Sequence, residues 1–347
     1  MNPREKIKVL VVDDSIVFRE VLSRGLSSDP AIEVVAKAAN PFDARDKIIQ
    51  YKPDVMTCDI EMPKMNGIEF IQRLMPQYSL PVIVVSTISE AVFDAMNAGA
   101  VDFVTKPDMK SMGTVENFIS DMISKIKIAV VSRVGVHNTN IAAARKIDRK
   151  GSGTSIKIIA IGASTGGTVA LHSLLKAMPN NTPGIVITQH IPPVFSRMFA
   201  ERLDSSISLS VKEAQTGDTV EEGKVLIAPG DHHMRVKKSG SCYKVECYSG
   251  EKVNGHCPSV DVLFESVARE AKNQSVGIIL TGMGYDGAKG LLSMRRAGAQ
   301  TIGQDLGSCV VYGMPKVAYD IGAVKYQLPL NTIPDMVDTI LKERRSE

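Results

Sequence analysis

Val9-Leu10-Val11-Val12-Asp13-Asp14-Ser15 decides the fold of the first third of the chain: four apolar residues run directly into two carboxylates and a serine. A short, unbroken apolar run is the pattern of a strand buried on both faces, as in a parallel sheet covered by helices. Working outward, strands are expected at residues 8–12, 32–37, 55–58, 82–85 and 102–105. Between them lie helically spaced sets such as Ile16, Val17, Glu20, Val21, Arg24 and Phe42, Ala44, Ile48, Ile49. Five strands alternating with helices predict a doubly wound parallel sheet over residues 1–123.

In such a sheet the residues ending neighbouring strands meet at the carboxyl edge, where open α/β sheets place their sites. Asp13 and Asp14 follow one strand and Asp59 ends another, so three carboxylates make a hard-oxygen cage suited to Mg²⁺. Ser86 ends the next strand and Lys106 follows a further one, a hydroxyl and an ammonium able to hold phosphoryl oxygens. Asp13-Asp14 could instead simply cap the helix that begins near Ser15. That reading leaves Asp59, Ser86 and Lys106-Pro107 at strand ends without explanation.

The set Val11-Val12-Asp13-Asp14-Ser15, Asp59-Ile60-Glu61-Met62-Pro63 and Thr105-Lys106-Pro107 resembles a bacterial response-regulator receiver, a flavodoxin-like domain, across essentially all of residues 5–123. The resemblance implies Asp59 as phosphoacceptor, Asp13 and Asp14 as metal-site carboxylates, and the Glu61 carbonyl as a further ligand to Mg²⁺. It also implies Ser86 and Phe103 as the hydroxyl and aromatic positions that move on phosphorylation, and a histidine kinase as phosphodonor.

Residues 124–155 begin with the end of a helix, near Val131. They continue through Gly135, Asn138, Asn140, Gly151 and Gly153 without a clear period, as an interdomain linker does, with a short helix conceivable at 141–145. From 156 the alternation resumes: strands at 156–161 and 184–188, helices from Gly167 and near 197–203. A β-rich interruption follows at 225–228 with a hairpin at 234–247. After it come a helix at 260–271, a strand at 276–280, a helix at 287–297, a strand near 300–303 and an amphipathic helix at 333–342. Residues 156–347 therefore read as a second doubly wound α/β domain with a β-hairpin insertion.

Gly162-Ala163-Ser164-Thr165-Gly166-Gly167 follows an apolar strand and opens a helix, the setting of a G-x-S-x-G nucleophile turn. The pattern of a phosphate-cradling G-x-x-x-x-G-K-[ST] loop is absent. A serine needs a positioned base. Among six histidines, His172 lies inside the following helix, His137 in the linker, and His232, His233 and His256 in loops near the insertion. His190 directly ends the strand Gly184-Ile185-Val186-Ile187-Thr188-Gln189, on the same edge as Ser164. Asp286, presented by Thr281-Gly282-Met283-Gly284-Tyr285, is the candidate to orient it, although a helix cap would use the same residue. The order Ser, His, Asp differs from the Ser, Asp, His order of α/β-hydrolases.

With the receiver attached, 161–167, Ile187-Thr188-Gln189-His190-Ile191-Pro192-Pro193 and Leu280-Thr281-Gly282-Met283-Gly284 resemble the chemotaxis protein-glutamate methylesterases, the CheB family. So do 228–231, 258–261 and 313–315, and the likeness covers nearly the whole chain. It implies phosphorylation-activated hydrolysis of glutamate γ-methyl esters on the cytoplasmic helices of chemoreceptors, releasing methanol, and in some members deamidation of receptor glutamines. Ser164 is then the nucleophile, His190 the base and Asp286 its orienter, with the Thr165 and Met283 backbone N–H groups as oxyanion donors and no cofactor for ester hydrolysis. Gly255, Cys257 and Tyr285 depart from the residues usual in relatives, near the substrate cleft.

Composition bounds the alternatives. Of 347 residues, 44% are hydrophobic and 23% charged, as in an ordinary globular protein. The N-terminus lacks signal-peptide form and no apolar run is long enough to span a bilayer, so a cytoplasmic protein without membrane insertion is expected. Cys58, Cys242, Cys247, Cys257 and Cys309 are too few for a disulfide framework, and Cys242, Cys247, His256 and Cys257 are poorly spaced for zinc. The net charge of +3 divides as −5 over residues 1–123 (13 basic, 18 acidic), +6 over 124–155 (7 and 1) and +2 over 156–347 (21 and 19). A basic excess confined to a linker argues against nucleic acid as partner, and the second domain lacks the helix-turn-helix of a DNA-binding regulator. A scaffold with a decayed site is the remaining rival, and a monomer is expected.

Overall fold

The computed structural model describes residues 6–87, 90–107, 112–133 and 155–343. The chain divides into two compact units, residues 1–137 and 138–347. The sequence-predicted linker core, His137 and the short helix at 141–145 lie outside the described residues.

The first unit runs β1 (Ile7–Val12), α1 (Ile16–Leu26), β2 (Ile32–Ala38), α2 (Pro41–Tyr51), β3 (Val55–Asp59), α3 (Gly67–Leu74), β4 (Val82–Ser86), α4 (Ala91–Asn97), β5 (Asp102–Thr105) and α5 (Met112–Ala129). Its five strands are parallel, in the order β2-β1-β3-β4-β5. Every residue of β3 and β4 is buried, which is why these strands read as unbroken apolar runs. The direction of winding reverses between β1 and β3, so Asp13, Asp14 and Asp59 sit at the topological switch point.

The second unit runs β6 (Ile158–Ala163), α6 (Gly167–Lys176), β7 (Gly184–Gln189), α7 (Phe195–Ser206), β8 (Ser210–Glu213), β9 (Thr219–Val220) and β10 (Lys224–Ile227). The hairpin β11 (His233–Ser239) and β12 (Cys242–Tyr248) follows, then α8 (Val260–Glu270), β13 (Ser275–Ile279), α9 (Ala288–Arg296), β14 (Gln300–Gln304), α10 (Met314–Asp320), β15 (Tyr326–Leu328) and α11 (Ile333–Glu343). Seven parallel strands are ordered β15-β14-β13-β6-β7-β10-β8, and the hairpin pairs with β9 in a separate antiparallel sheet. The strands β8, β9 and β15 and the helix α10 were not legible from the sequence.

Helix α8 covers the middle of this sheet. Val260, Leu263, Phe264 and Val267 recur at helical spacing and are completely buried against residues such as Ile158, Ala160 and Ile279. Burying each side chain of this size contributes about 1.5–3 kcal/mol. The reversal of winding falls between β6 and β13, and the loops after these two strands carry Ser164 and Asp286.

Candidate active site

In the first unit, oxygens of Asp13, Asp14 and Asp59 lie within 4.8 Å of one another. Among the described residues no other group of three acidic, histidine or cysteine side chains is close enough to share a metal ion. Lys106 Nζ donates to Asp59 Oδ2 at 2.6 Å and lies 3.1 Å from Asp13 Oδ2, a contact of opposite charges that lacks hydrogen-bond geometry. Burial pushes the Asp59 carboxyl up to about 6 against the opposing pull of Lys106, with the Asp13 charge adding to the rise. Burial pulls the Lys106 ammonium down, but Asp59 and Asp13 outweigh it and hold it above its ordinary value. The buried Asp13 Oδ2 and Ser86 Oγ have no hydrogen-bond partner. Orphaned oxygens beside three carboxylates fit a hard cation and a phosphoryl group, because both need unsatisfied polar atoms. Glu61 lies two residues after Asp59, its N–H donating to Asp59 Oδ1 at 3.3 Å, and Phe103 is buried on β5.

In the second unit, β6, β7 and β13 deliver Ser164, His190 and the 281–286 loop to one sheet edge. The backbone interlocks there: Ser164 N–H donates to the Thr281 carbonyl at 3.0 Å and His190 N–H to the Ala163 carbonyl at 3.1 Å. A Cβ on Gly282 would lie 2.7 Å from Ser164 Cβ and 2.5 Å from Met314 Sδ, so only glycine allows this loop to approach the serine so closely. Gly166, at φ 76°, makes the turn into α6.

His190 Nε2 and Asp286 Oδ2 are 2.9 Å apart, with both side chains nearly excluded from solvent. Asp286 also accepts from Val260 N–H (2.7 Å), Ser259 Oγ (2.7 Å), Asn254 Nδ2 (2.8 Å) and Asp261 N–H (3.2 Å). Burial alone would raise its carboxyl. The His190 hydrogen bond and charge, with Asn254 and Ser259 behind them, hold it well below the usual carboxylate range. Nearby Asp261 is pushed upward by burial, with the charge of Asp286 contributing.

A carboxylate accepts only, so Nε2 carries the proton and Nδ1 is the basic nitrogen. Nδ1 is buried and has no hydrogen-bond partner, so it is not bonded to the Ser164 hydroxyl in this state. Catalytic hydrogen bonds are often long before substrate arrives. The nitrogens are reversed relative to the serine-protease arrangement, in which Nδ1 faces the aspartate.

The Met283 backbone N–H has no protein acceptor among the described residues, and the Thr165 carbonyl accepts from Thr281 Oγ1 at 3.0 Å. Asn254 and Ser259, which donate to Asp286, were missed in the sequence, as were Gln189 and His256. Gln189, buried, donates from Nε2 to the carbonyls of Ser164 (2.9 Å) and His190 (3.0 Å), tying the two strand ends together. Its signal was its place beside His190 at the end of a largely apolar strand. His256, read as a loop residue near the insertion, stacks on His190 with ring centroids 3.7 Å apart and planes at 9°. His172 lies on α6, His232 bonds the Gly230 carbonyl, and His233 bonds the Glu251 carbonyl and accepts from Ser259 N–H. All five cysteines are free. Gly255 and Tyr285 are exposed, and Cys257 is partly buried.

No helix among the described residues is long and apolar enough to cross a membrane. Residues 159–337 match the family model CheB methylesterase, and residues 9–114 match the response regulator receiver domain. A protein-glutamate methylesterase/protein-glutamine glutaminase of Syntrophomonas wolfei is 59% identical over 330 residues, covering 94% of this chain and 96% of its own. A protein of the same name from Salmonella typhimurium is 45% identical over 335 residues, covering 94% and 95%. The crystal structure of the Thermotoga maritima CheB methylesterase catalytic domain, 38% identical, superposes with a TM-score of 0.52 over 55% of this chain and all of that one. With a receiver fold ending in an acidic cluster and a catalytic fold ending in a serine, a histidine and an aspartate, the chain belongs to the CheB methylesterase family.

Proposed function

We propose that this chain is a serine-type protein-glutamate methylesterase of bacterial chemotaxis, controlled by phosphorylation of its receiver. It hydrolyses γ-methyl esters on the cytoplasmic helices of chemoreceptors, and the γ-amides of glutamines in the same site. The observation that carries the reading is His190: Nε2 is locked to Asp286, while Nδ1 is buried, unpartnered and on the same sheet edge as Ser164.

His190 Nδ1 takes the Ser164 proton as Oγ attacks the ester carbonyl, and Asp286 stabilises the imidazolium that forms. The Met283 and Thr165 backbone N–H groups face the developing oxyanion. Collapse of the tetrahedral species expels methanol, which leaves with the proton held on Nδ1. Water, deprotonated by the same nitrogen, then attacks the acyl-serine, and Ser164 Oγ leaves by taking that proton back from Nδ1, which releases the free glutamate. With a glutamine substrate the group expelled is ammonia.

In the receiver, Asp59 accepts phosphate from a histidine kinase. Asp13, Asp14, Asp59 and the Glu61 carbonyl would hold Mg²⁺, which supplies charge neutralisation to phosphoryl oxygens. Lys106 and Ser86 bind phosphoryl oxygens, and Phe103 responds by repacking. The enzyme works in the cytoplasm, as a monomer.

Methanol release from a methylated chemoreceptor cytoplasmic fragment, with and without acetyl phosphate, tests this directly. Ser164→Ala should show no turnover above background with an unchanged melting curve. Turnover retained in that variant would refute the assignment of the nucleophile.

A further inference from the structure

Among the described residues no group hydrogen-bonds to a ring nitrogen of His256, yet the ring is placed with care. Residues 253–256 form a tight reversal, with the N–H of Val253 and that of His256 each donating to the other's carbonyl at 3.0 Å. Asn254 (φ 53°) and Gly255 (φ 83°) are the central pair, and Asn-Gly is the pair that favours positive φ at both central positions of a two-residue turn. A Cβ on Gly255 would meet nothing within 4 Å, so the glycine serves the backbone conformation and not packing.

This turn delivers two side chains to one pair of catalytic groups. Asn254 Nδ2 donates to Asp286 Oδ1 and to Asp261 Oδ2, both at 2.8 Å. Two residues later, His256 lies flat against His190 at 3.7 Å. Asp286 fixes one atom of the His190 ring, Nε2. A single hydrogen bond leaves rotation of the ring about that contact open, and Nδ1 has no partner to oppose it. A second flat ring against its face supplies the missing constraint.

We propose that His256 is a positioning residue for the base: its ring, set by the Asn254-Gly255 turn, fixes the plane of His190 so that Nδ1 stays aimed at the nucleophile edge. This rests on the serine-esterase reading given above. Burial, and after it the neighbouring His190, pushes the His256 imidazole down to about 4, so it is neutral wherever the enzyme works. A neutral aromatic face tolerates the imidazolium that His190 becomes during turnover, whereas a cationic neighbour would oppose it.

The test uses the full-length protein with acetyl phosphate and a methylated chemoreceptor fragment as substrate, and compares three variants. His256→Phe keeps a flat ring without nitrogens, His256→Leu fills similar volume without a flat face, and His256→Ala removes both. His256→Ala and His256→Leu should lose about 10- to 100-fold in kcat, the scale of small misplacements at a reacting centre, with KM within twofold. His256→Phe should recover to within threefold of the unsubstituted enzyme. In ¹⁵N-histidine spectra the Nε2–H form of His190 should persist in His256→Phe and become averaged in His256→Leu. If His256→Ala fails to fold, the Phe and Leu pair carries the comparison. A loss of less than threefold in His256→Leu overturns the proposal, as does a His256→Phe enzyme no faster than His256→Leu. Ser164→Ala run in parallel separates the two readings: turnover there sinks the esterase assignment itself, whereas a dead Ser164→Ala beside a normal His256→Leu sinks only this inference.

Discussion

Replacing Asp286 by asparagine changes one atom and tests how the site holds its proton. The carboxylate accepts five hydrogen bonds: Oδ1 from Asn254 Nδ2, Ser259 Oγ and Asp261 N–H, and Oδ2 from Val260 N–H and His190 Nε2. An amide has one accepting oxygen and one donating nitrogen. Placing the nitrogen at the Oδ1 position sets it against three donors, so it should take the Oδ2 position, against two. There Val260 N–H loses its acceptor in a fully buried place. His190 can then bond only by accepting at Nε2, which moves its proton to Nδ1, the nitrogen that must receive the serine proton. Asp286→Asn should therefore lower kcat by roughly 10⁴, as the equivalent change does in the serine-protease template. The unsatisfied buried N–H and the lost charge assistance should cost about 2–4 kcal/mol. For a domain of this size that is a drop of roughly 4–16 °C in the catalytic domain's melting temperature. Methanol release, calorimetry and the ¹⁵N shifts of His190 read the three effects separately. A variant within tenfold of the normal kcat, or an inactive one whose Nδ1 remains unprotonated, would refute this account of the base.

Two further outcomes are expected. Asp59→Asn should give the same rate of methanol release with and without acetyl phosphate, and a response to the donor in that variant would place the phosphoacceptor elsewhere. His256→Phe should also make the catalytic domain less sensitive to acid. Burial, then His190 and more weakly Lys252, hold the His256 imidazole down to about 4 against the opposing charge of Asp286, so between that value and about 6.5 the unfolded chain binds the extra proton and stability falls as pH falls. The full linkage is about 3 kcal/mol, and partial exposure of the ring screens it to roughly 1–2 kcal/mol. Calorimetry from pH 7.5 to 4.5 that finds identical slopes for both proteins would rule this out.

What could be read from the sequence is what strands decide locally. The central strands of both parallel sheets are buried on both faces, so residues 9–12, 55–58, 158–161 and 276–279 announce themselves as apolar runs. Chemistry in such sheets gathers at the carboxyl edge, so Asp13, Asp59 and Ser164, which follow those runs, and His190, which follows the strand at 184–189, stand out as candidates without knowledge of strand order. The edge strands β8, β9 and β15, of two to four residues, could not. Their pairing is set by neighbours far along the chain, and so short a segment carries no period. The same limit hid the finer parts of the site. That Nε2 and not Nδ1 meets Asp286 depends on the direction from which the 281–286 loop approaches β7, 96 residues earlier in the chain. His256 reads as one loop histidine of several because a loop 66 positions away must return to lie on His190. Its one local mark was the Asn254-Gly255 pair. A turn demanding positive φ at two successive residues spends that conformation on aiming something, and here it aims one side chain at each partner of the His190–Asp286 pair.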